Sequence, residues 1–166
     1  MKNKTIPEGT VEDHIRICTY IRFSSYGLIS NADKAVAIQK YYNHLASEHR
    51  SWEIVDSFID EGKSTIGFKA MIKSAMTGAY DIIITPSFVR LNSPPIDIAE
   101  TVKELKALEH PVGIYFEIEQ VFTLEDTAQD KLDLMMLFTN WERENKTRAM
   151  MWKRKIKDVS RKDGGI

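Results

Sequence analysis

The sequence predicts an α/β domain whose central, mainly parallel sheet is flanked by helices and followed by one long C-terminal helix. Segments typical of strands and of helices alternate along residues 14–118. The run Asp81–Thr85 is short, apolar and β-branched, which is typical of a strand buried on both faces of a sheet. Residues 127–157 contain neither proline nor glycine, which favours a single uninterrupted helix.

The first half of the chain predicts two strands around one helix. Asn31 or Asp33 is the expected N-cap of that helix, because both side chains can accept a hydrogen bond from the first turn. In chain order the patterns predict a flexible lead-in, a strand, a loop, the helix, a strand and a loop, over residues 1–13, 14–23, 24–31, 31–45, 52–58 and 59–66.

The second half predicts the same alternation and then the long helix. Gly78 suits the left-handed end of a helix, and Pro94-Pro95 suits the start of another. The order is helix, strand, helix, strand and long helix, over residues 67–76, 81–85, 94–108, 111–118 and 127–157. We therefore expect three parts: a lead-in over 1–13, an α/β domain over 14–126, and a helix with a basic tail over 127–166.

Composition limits the class of protein. Hydrophobic residues make up 43% of the 166 residues and the net charge is −1, which excludes a disordered acidic chain and a uniformly basic nucleic-acid coat. The single cysteine, Cys18, excludes an internal disulfide and a Cys-x-x-Cys zinc site. No apolar run approaches the ~20 residues that span a bilayer, and no signal peptide is recognisable. We expect a cytoplasmic protein without a membrane partner.

The predicted C-terminal helix is too long for the domain to cover. At 1.5 Å per residue it measures ~45 Å, whereas a body of this size has a radius of gyration near ~14 Å. An apolar stripe with steps of three or four residues follows it through Leu134, Phe138, Trp141, Asn145, Ala149, Trp152, Ile156 and Val159. Unless the helix folds back, this stripe predicts contact with a second chain.

Charge is distributed unevenly between the body and the tail. From Glu142 to Ile166 nine Lys or Arg residues stand against four Asp or Glu residues, which gives +5 for this segment and −6 for the rest. A basic end on an acidic body indicates a polyanionic partner, although a solvated helix end accounts for the charge equally well.

Two kinds of ligand site find little support. His44 and His49 are the only histidines close in sequence, and a spacing of five places them on different helix faces, so no metal is expected. Gly62-Lys63-Ser64 resembles the end of a phosphate-binding loop, but Ser57 stands where the pattern requires its first glycine. A nucleotide-binding regulator therefore stays only a third alternative.

The most informative segment is the end of the first predicted strand. Tyr20, Arg22 and Ser24 alternate there, at the carboxyl end where open α/β sheets carry their sites. A serine beside an arginine suits attack on a phosphate, because a guanidinium holds phosphate oxygens in a fork. No Gly-x-Ser-x-Gly elbow is present, so an esterase is not indicated.

The segment does not stand alone, and together with four further motifs the chain resembles the catalytic domain of the serine recombinase (resolvase/invertase) family. That family opens with Tyr-x-Arg-x-Ser, as in Tyr20 to Ser24. The further matches are Asp60 to Ser64 for Asp-Glu-Gly-x-Ser, Phe68 to Met71 followed by Gly78 to Ile84, Ser87 to Leu91 for Ser-x-x-Arg-Leu, and Glu142 to Asn145 for Glu-Arg-Glu-Asn. The resemblance implies a resolvase-like catalytic fold with a long C-terminal helix.

The resemblance also implies a chemistry. The serine matching Ser24 attacks a DNA phosphodiester to form a 5′-phosphoserine link, and the arginines matching Arg22 and Arg90 stabilise the charge. Tyr20, Asp60 and Ser64 stand in the same motifs and complete the expected catalytic set. No metal and no small-molecule cofactor is implied; the partners are DNA and further copies, in a dimer or tetramer formed through the C-terminal helix. The expected DNA contacts are Arg143, Lys146, Arg148, Lys153, Arg154 and Lys155.

Departures from the family pattern support an alternative. Thr65 and Ser93 stand where arginines are expected, and Val89 stands where an acidic residue is common. Losing one positioned charge donor typically costs 10²–10³ in rate, so the chain is alternatively a degenerate homologue that acts as an oligomerisation or DNA-associated regulatory module. No DNA-reading module is recognisable before Ile166, which leaves open whether the chain is a fragment of a longer recombinase.

Overall fold

The protein is built on a five-stranded sheet in the order β2-β1-β3-β4-β5. A computed structural model describes residues 14–23, 30–91 and 96–163. The strands are β1 (Ile15–Phe23), β2 (Trp52–Glu61), β3 (Ile82–Thr85), β4 (Gly113–Phe116) and β5 (Val121–Phe122). The first four strands run parallel, and β5 is antiparallel to β4. The predicted α/β class with a mainly parallel sheet is confirmed.

Five helices connect and cover the strands of the described chain. They are α1 (Asn31–Glu48), α2 (Ile66–Met76), α3 (Phe88–Leu91), α4 (Ile98–Lys106) and α5 (Ala128–Asp163). Alternation along β3 separates two apolar clusters: Ile83 joins the cluster packed on α2, α4 and the start of α5, whereas Ile82 and Ile84 join the cluster packed on α1. This strand is therefore buried on both faces, as its composition predicts.

The loop predicted over 59–66 begins three residues too early. Strand β2 continues through Glu61, and the chain turns only at Gly62, whose φ of 58° is left-handed. The amide of Gly62 still donates to the carbonyl of Phe23 at 2.7 Å, which extends the pairing with β1 to the end of the strand. Asp60 in particular is a buried strand residue whose carboxylate has partners within the chain.

Two helix starts also differ from the prediction. Neither Asn31 nor Asp33 caps α1; the cap is Ser30, whose hydroxyl oxygen accepts a hydrogen bond from the amide of Asp33 at 3.2 Å. Helix α4 begins at Ile98 with Asp97 as its N-cap, because the Asp97 carboxylate accepts from the third amide. The predicted start at Pro94 lies outside the described residues.

The region after β3 contains two elements without a sequence prediction, α3 and β5. The fourth strand is shorter than predicted because a turn over 117–120 reverses the chain into β5. Gln120 adopts a left-handed φ of 55° in this turn. A four-residue helix and a two-residue strand are too short for a periodic pattern to reveal them.

Helix α5 has 36 residues, about 54 Å at 1.5 Å per residue, and those of its described side chains that are buried lie near its start. Ala128, Leu132 and Thr139 are buried there. Leu134 and Ile156, which belong to the predicted apolar stripe, are exposed. The side chains of the remaining stripe residues Phe138, Trp141, Asn145, Ala149, Trp152 and Val159 lie outside the described ones.

Candidate active site

The candidate site lies where the order of the strands reverses. The chain passes from β1 to β2 on one side and crosses to β3 on the other, so the carboxyl ends of β1 and β3 flank a crevice. Ligands of open α/β sheets bind at such switch points. A cavity of about 210 Å³ occupies this position, lined by Tyr20, Ile21, Arg22, Phe23, Ile38, Thr85, Pro86, Ser87 and Leu91.

Beside the cavity, Asp60 joins three elements through one carboxylate. Its Oδ1 accepts hydrogen bonds from the Gly67 amide at 2.8 Å and from Ser64 Oγ at 3.3 Å. Its Oδ2 accepts from the Tyr20 hydroxyl and from the Phe68 amide, each at 2.8 Å. The two amides belong to the first turn of α2, so a strand residue acts as the remote N-cap of this helix.

Gly67 permits this close approach. A Cβ at this position would lie 2.9 Å from the carbonyl oxygen of Ile59 and 3.0 Å from Asp60 Oδ1. Any larger residue would push α2 away from β2 and lengthen the amide–carboxylate hydrogen bond. The same contact argues against a phosphate-binding loop at Gly62-Lys63-Ser64, because the Gly67 and Phe68 amides of the following helix already bind Asp60.

The surroundings fix the ionisation of this pair. Burial opposes charge on Asp60, but hydrogen bonds from Gly67, Tyr20, Phe68 and Ser64 hold the pKa of its carboxyl below the usual range. Burial and the neighbouring carboxylate raise the pKa of the Tyr20 hydroxyl. Tyr20 is fully buried and stays protonated, so it is a hydrogen-bond donor and a poor nucleophile.

Arg22 connects this network to the cavity. Its Nη2 donates to the backbone carbonyl of Ser64 at 2.9 Å, which ties the end of β1 to the turn before α2. Its Nε is buried and makes no hydrogen bond with the described residues. A buried guanidinium nitrogen without a partner among the described residues is rare, and the Arg22 side chain that carries it lines the cavity.

On the opposite rim, Glu119 performs for α3 the role that Asp60 performs for α2. Its Oε1 accepts from Ser87 Oγ at 2.8 Å and its Oε2 accepts from the Phe88 amide at 3.1 Å. Sequence reasoning missed Glu119, because no periodic pattern relates this residue to Ser87, which lies 32 positions earlier. Only the Ser-x-x-Arg-Leu motif pointed to this rim of the cavity.

The structure therefore brings together Tyr20, Arg22, Asp60 and Ser64 of the predicted catalytic set. Ser24 follows the last residue of β1 in sequence and lies outside the described residues. Arg90 is the third residue of α3, and its side chain is not among the described ones.

All six predicted DNA-contacting residues lie on α5. Arg154 and Lys155 are exposed and Arg143 is half-buried. The side chains of Lys146, Arg148 and Lys153 lie outside the described ones. In the parts of the chain that the structure describes, no group of three or more His, Cys, Asp or Glu residues is arranged to hold a metal, and no helix could cross a membrane.

Comparison with protein families identifies the class. The family described as Resolvase, N terminal domain, matches residues 17–160, which is most of the chain. The protein belongs to this family of serine recombinase catalytic domains. The matched segment includes the cavity, Asp60, Glu119 and most of α5. Comparison with curated proteins gives no match.

Solved structures share the fold. The N-terminal catalytic domain of TP901-1 integrase is 18% identical with a TM-score of 0.50, over 78% of this chain and 97% of that one. A resolvase family site-specific recombinase from Streptococcus pneumoniae is 18% identical with a TM-score of 0.53, over 87% and 99%. The C-terminal catalytic domain of ISC1926 TnpA, an IS607-like serine recombinase, is 17% identical with a TM-score of 0.50, over 86% and 98%. These similarities support the α/β fold.

Proposed function

We propose that this chain breaks and rejoins DNA strands in site-specific recombination, with Ser24 as the nucleophile. The Ser24 oxygen attacks a DNA phosphorus and loses its proton, while the 3′ oxygen leaves and takes up a proton. The product is a 5′-phosphoserine link that stores the energy of the broken bond, so rejoining by the reverse step needs no cofactor. The supporting observation is that Arg22, two residues before Ser24, lines the switch-point cavity and has a buried Nε without a hydrogen-bond partner among the described residues.

The proposal divides the site into reacting and positioning groups. Arg22 and Arg90 carry the charge that stabilises the phosphorane-like transition state. Asp60 is a positioning residue, because it fixes Tyr20, Ser64 and the start of α2 around Arg22. Ser64 in turn supplies the carbonyl that orients the Arg22 guanidinium. Rotation of that guanidinium would turn it away from the phosphate.

The proposal assigns α5 to association and DNA contact. We propose the same division as the sequence predicts, a domain over 14–126 and a helix with a basic tail over 127–166. A dimer or tetramer formed through the exposed residues of α5 would cover Leu134 and Leu137, and its basic end would contact DNA phosphates through Arg154 and Lys155. DNA as the partner is consistent with action in the cytoplasm.

The test is formation of a covalent protein–DNA adduct. A pool of duplexes with randomised cores is labelled at the 3′ end of one strand and nicked a few nucleotides upstream of each cleavable bond. The short 3′-hydroxyl fragment then dissociates, so the adduct is trapped and survives denaturing electrophoresis. We expect an alkali-labile adduct with the parent and with Ser25→Ala, and none with Ser24→Ala. Alkali lability identifies a serine ester, because phosphotyrosine does not undergo β-elimination.

The alternative, a degenerate module, is supported by Thr65 and Ser93 at positions where the family has arginines. Ser93→Arg separates the two functions. If the site is active but slow, this change raises the adduct rate by at most ~10²–10³, the typical contribution of one positioned donor. No adduct with the parent or with Ser93→Arg would favour the non-enzymatic module.

A further inference from the structure

We propose that Glu119 is a positioning residue for the cleavage step, acting through the helix α3 that carries Arg90. This inference rests on the proposed function and adds to it a residue outside every sequence motif described above. The observation behind it is that one carboxylate at the rim of the cavity holds both Ser87 Oγ and the Phe88 amide.

Helix α3 cannot hold its own shape. It has four residues, and an isolated helix of one turn is unstable in water. Its geometry must come from outside contacts, and two of these are apolar: Phe88 and Leu91 are buried, and Phe88 packs edge-on against Phe116 of β4. These anchors fix the depth of the helix. The Glu119 carboxylate fixes its first residue, and so the direction in which the turn containing Arg90 begins.

Backbone hydrogen bonds hold the turn over 117–120, which contains Glu119, next to the residues that precede α3. The amides of Glu117 and Ile118 donate to the carbonyls of Thr85 and Pro86 at 3.1 and 2.9 Å, which aligns the turn with the residues just before Ser87. Gln120 in the same turn has a left-handed φ of 55°, a backbone conformation that is unfavourable for a non-glycine residue. Strain of this kind persists where the surrounding structure requires it, and it concentrates at functional sites.

Glu117 provides a matched control from the same turn. It is half-buried like Glu119, but its Oε2 accepts from the hydroxyl of Tyr41 on α1 at 2.7 Å. Glu117→Gln and Glu119→Gln therefore each weaken one charged hydrogen-bond acceptor in the same turn. Only Glu119→Gln disturbs the start of α3.

The experiment measures the adduct rate at saturating nicked DNA, the DNA dissociation constant and the melting temperature. We expect Glu119→Gln to lower the adduct rate about tenfold to 10²-fold, because small misplacement of a reacting group has effects of this size. Its affinity for DNA should stay within about twofold of the parent, since Glu119 adds no phosphate contact. Ser87→Ala removes one described donor to Glu119 and leaves the Phe88 amide in place, so it should give a smaller loss in the same direction.

The double variant Glu119→Gln with Arg90→Lys shows whether the loss of adduct rate in Glu119→Gln depends on the position of Arg90. A lysine ammonium is a point charge on a flexible stem and tolerates a displaced backbone better than the planar guanidinium. We therefore expect Glu119→Gln to cost less in the Arg90→Lys background than in the parent. Equal rate losses in both backgrounds, or a rate loss in Glu117→Gln matching that in Glu119→Gln, would overturn the inference while leaving the proposed function intact. Absence of an adduct with both the parent and Ser93→Arg would overturn the inference together with the proposed function.

Discussion

The rim of the cavity and helix α5 differ in how far their side chains are buried and paired within the chain. At the rim, Asp60 is only 4% exposed and accepts four hydrogen bonds from within the chain. Along α5, Leu134 and Leu137 are 67% and 68% exposed. Contacts within the chain therefore fix the described part of the site around Asp60, whereas the exposed leucines of α5 have no such contacts and form the surface to which we assign the proposed dimer or tetramer.

Asp60→Ala tests the rim and should have the largest effect on folding. The change leaves the buried Tyr20 hydroxyl and two amides of α2 without their acceptor, and each unpaired buried group costs about 1–3 kcal/mol. We expect the free energy of unfolding to fall by roughly 3 kcal/mol or more. Urea denaturation measures this fall. Asp56→Ala, an exposed position of the same strand, is the control and should cost well under 1 kcal/mol.

A second prediction concerns the loss of stability at low pH, to which a carboxyl at the opposite end of the sheet contributes. The carboxyl of Asp81 is partly buried, but hydrogen bonds and charge from Arg16 hold its pKa below the usual range. A carboxyl with a lowered folded pKa binds more protons when unfolded, so its contribution is present above about pH 4 and is lost as the pH falls further.

Asp81→Asn should therefore destabilise the protein at neutral pH and flatten the decline of stability below about pH 4. The Arg16–Asp81 pair is half exposed, so we expect an effect near 1 kcal/mol. Thermal melts at a series of pH values measure it. Glu48→Gln, which alters the exposed pair with His44, should leave the acid limb unchanged; a shift of the same size there would contradict the assignment to Asp81.

Leu137→Gln should have the smallest effect on folding and a large effect on association. The side chain is already in water, so the free energy of unfolding of a single chain should change by less than about 0.5 kcal/mol. Leu132→Ala, from the buried face of the same helix, should instead cost about 2–5 kcal/mol. Sedimentation of the parent should show a dimer or larger species that Leu137→Gln weakens. A parent that stays monomeric at high concentration would refute the role given to α5.

Local patterns predicted the elements whose burial follows a period. The run Ile82–Ile84 was recognised as a two-faced strand because composition alone carries that information. The contacts that shape the site were not predictable in this way. The sequence predicts a loop at Asp60, because the amides of α2 that donate to its carboxylate reach it only once β2 and α2 pack together.

The family motifs supplied the chemistry that periodicity could not. Tyr20, Arg22, Asp60 and Ser64 carry no common local pattern, yet the motifs grouped them and the fold brings them together. Glu119 belongs to no motif and sits 32 residues from its partner Ser87, so neither route could find it. Long-range pairs of polar groups are determined by tertiary packing.

Peptide mapping of the trapped adduct would show which residue attacks the DNA. After nuclease trimming, trypsin cuts behind Arg22 and Lys34 and releases one peptide that contains Ser24, Ser25 and Tyr26. The account predicts that fragment masses place the residual nucleotide on Ser24. A nucleotide on Ser25, Tyr26 or any residue outside this peptide would contradict it.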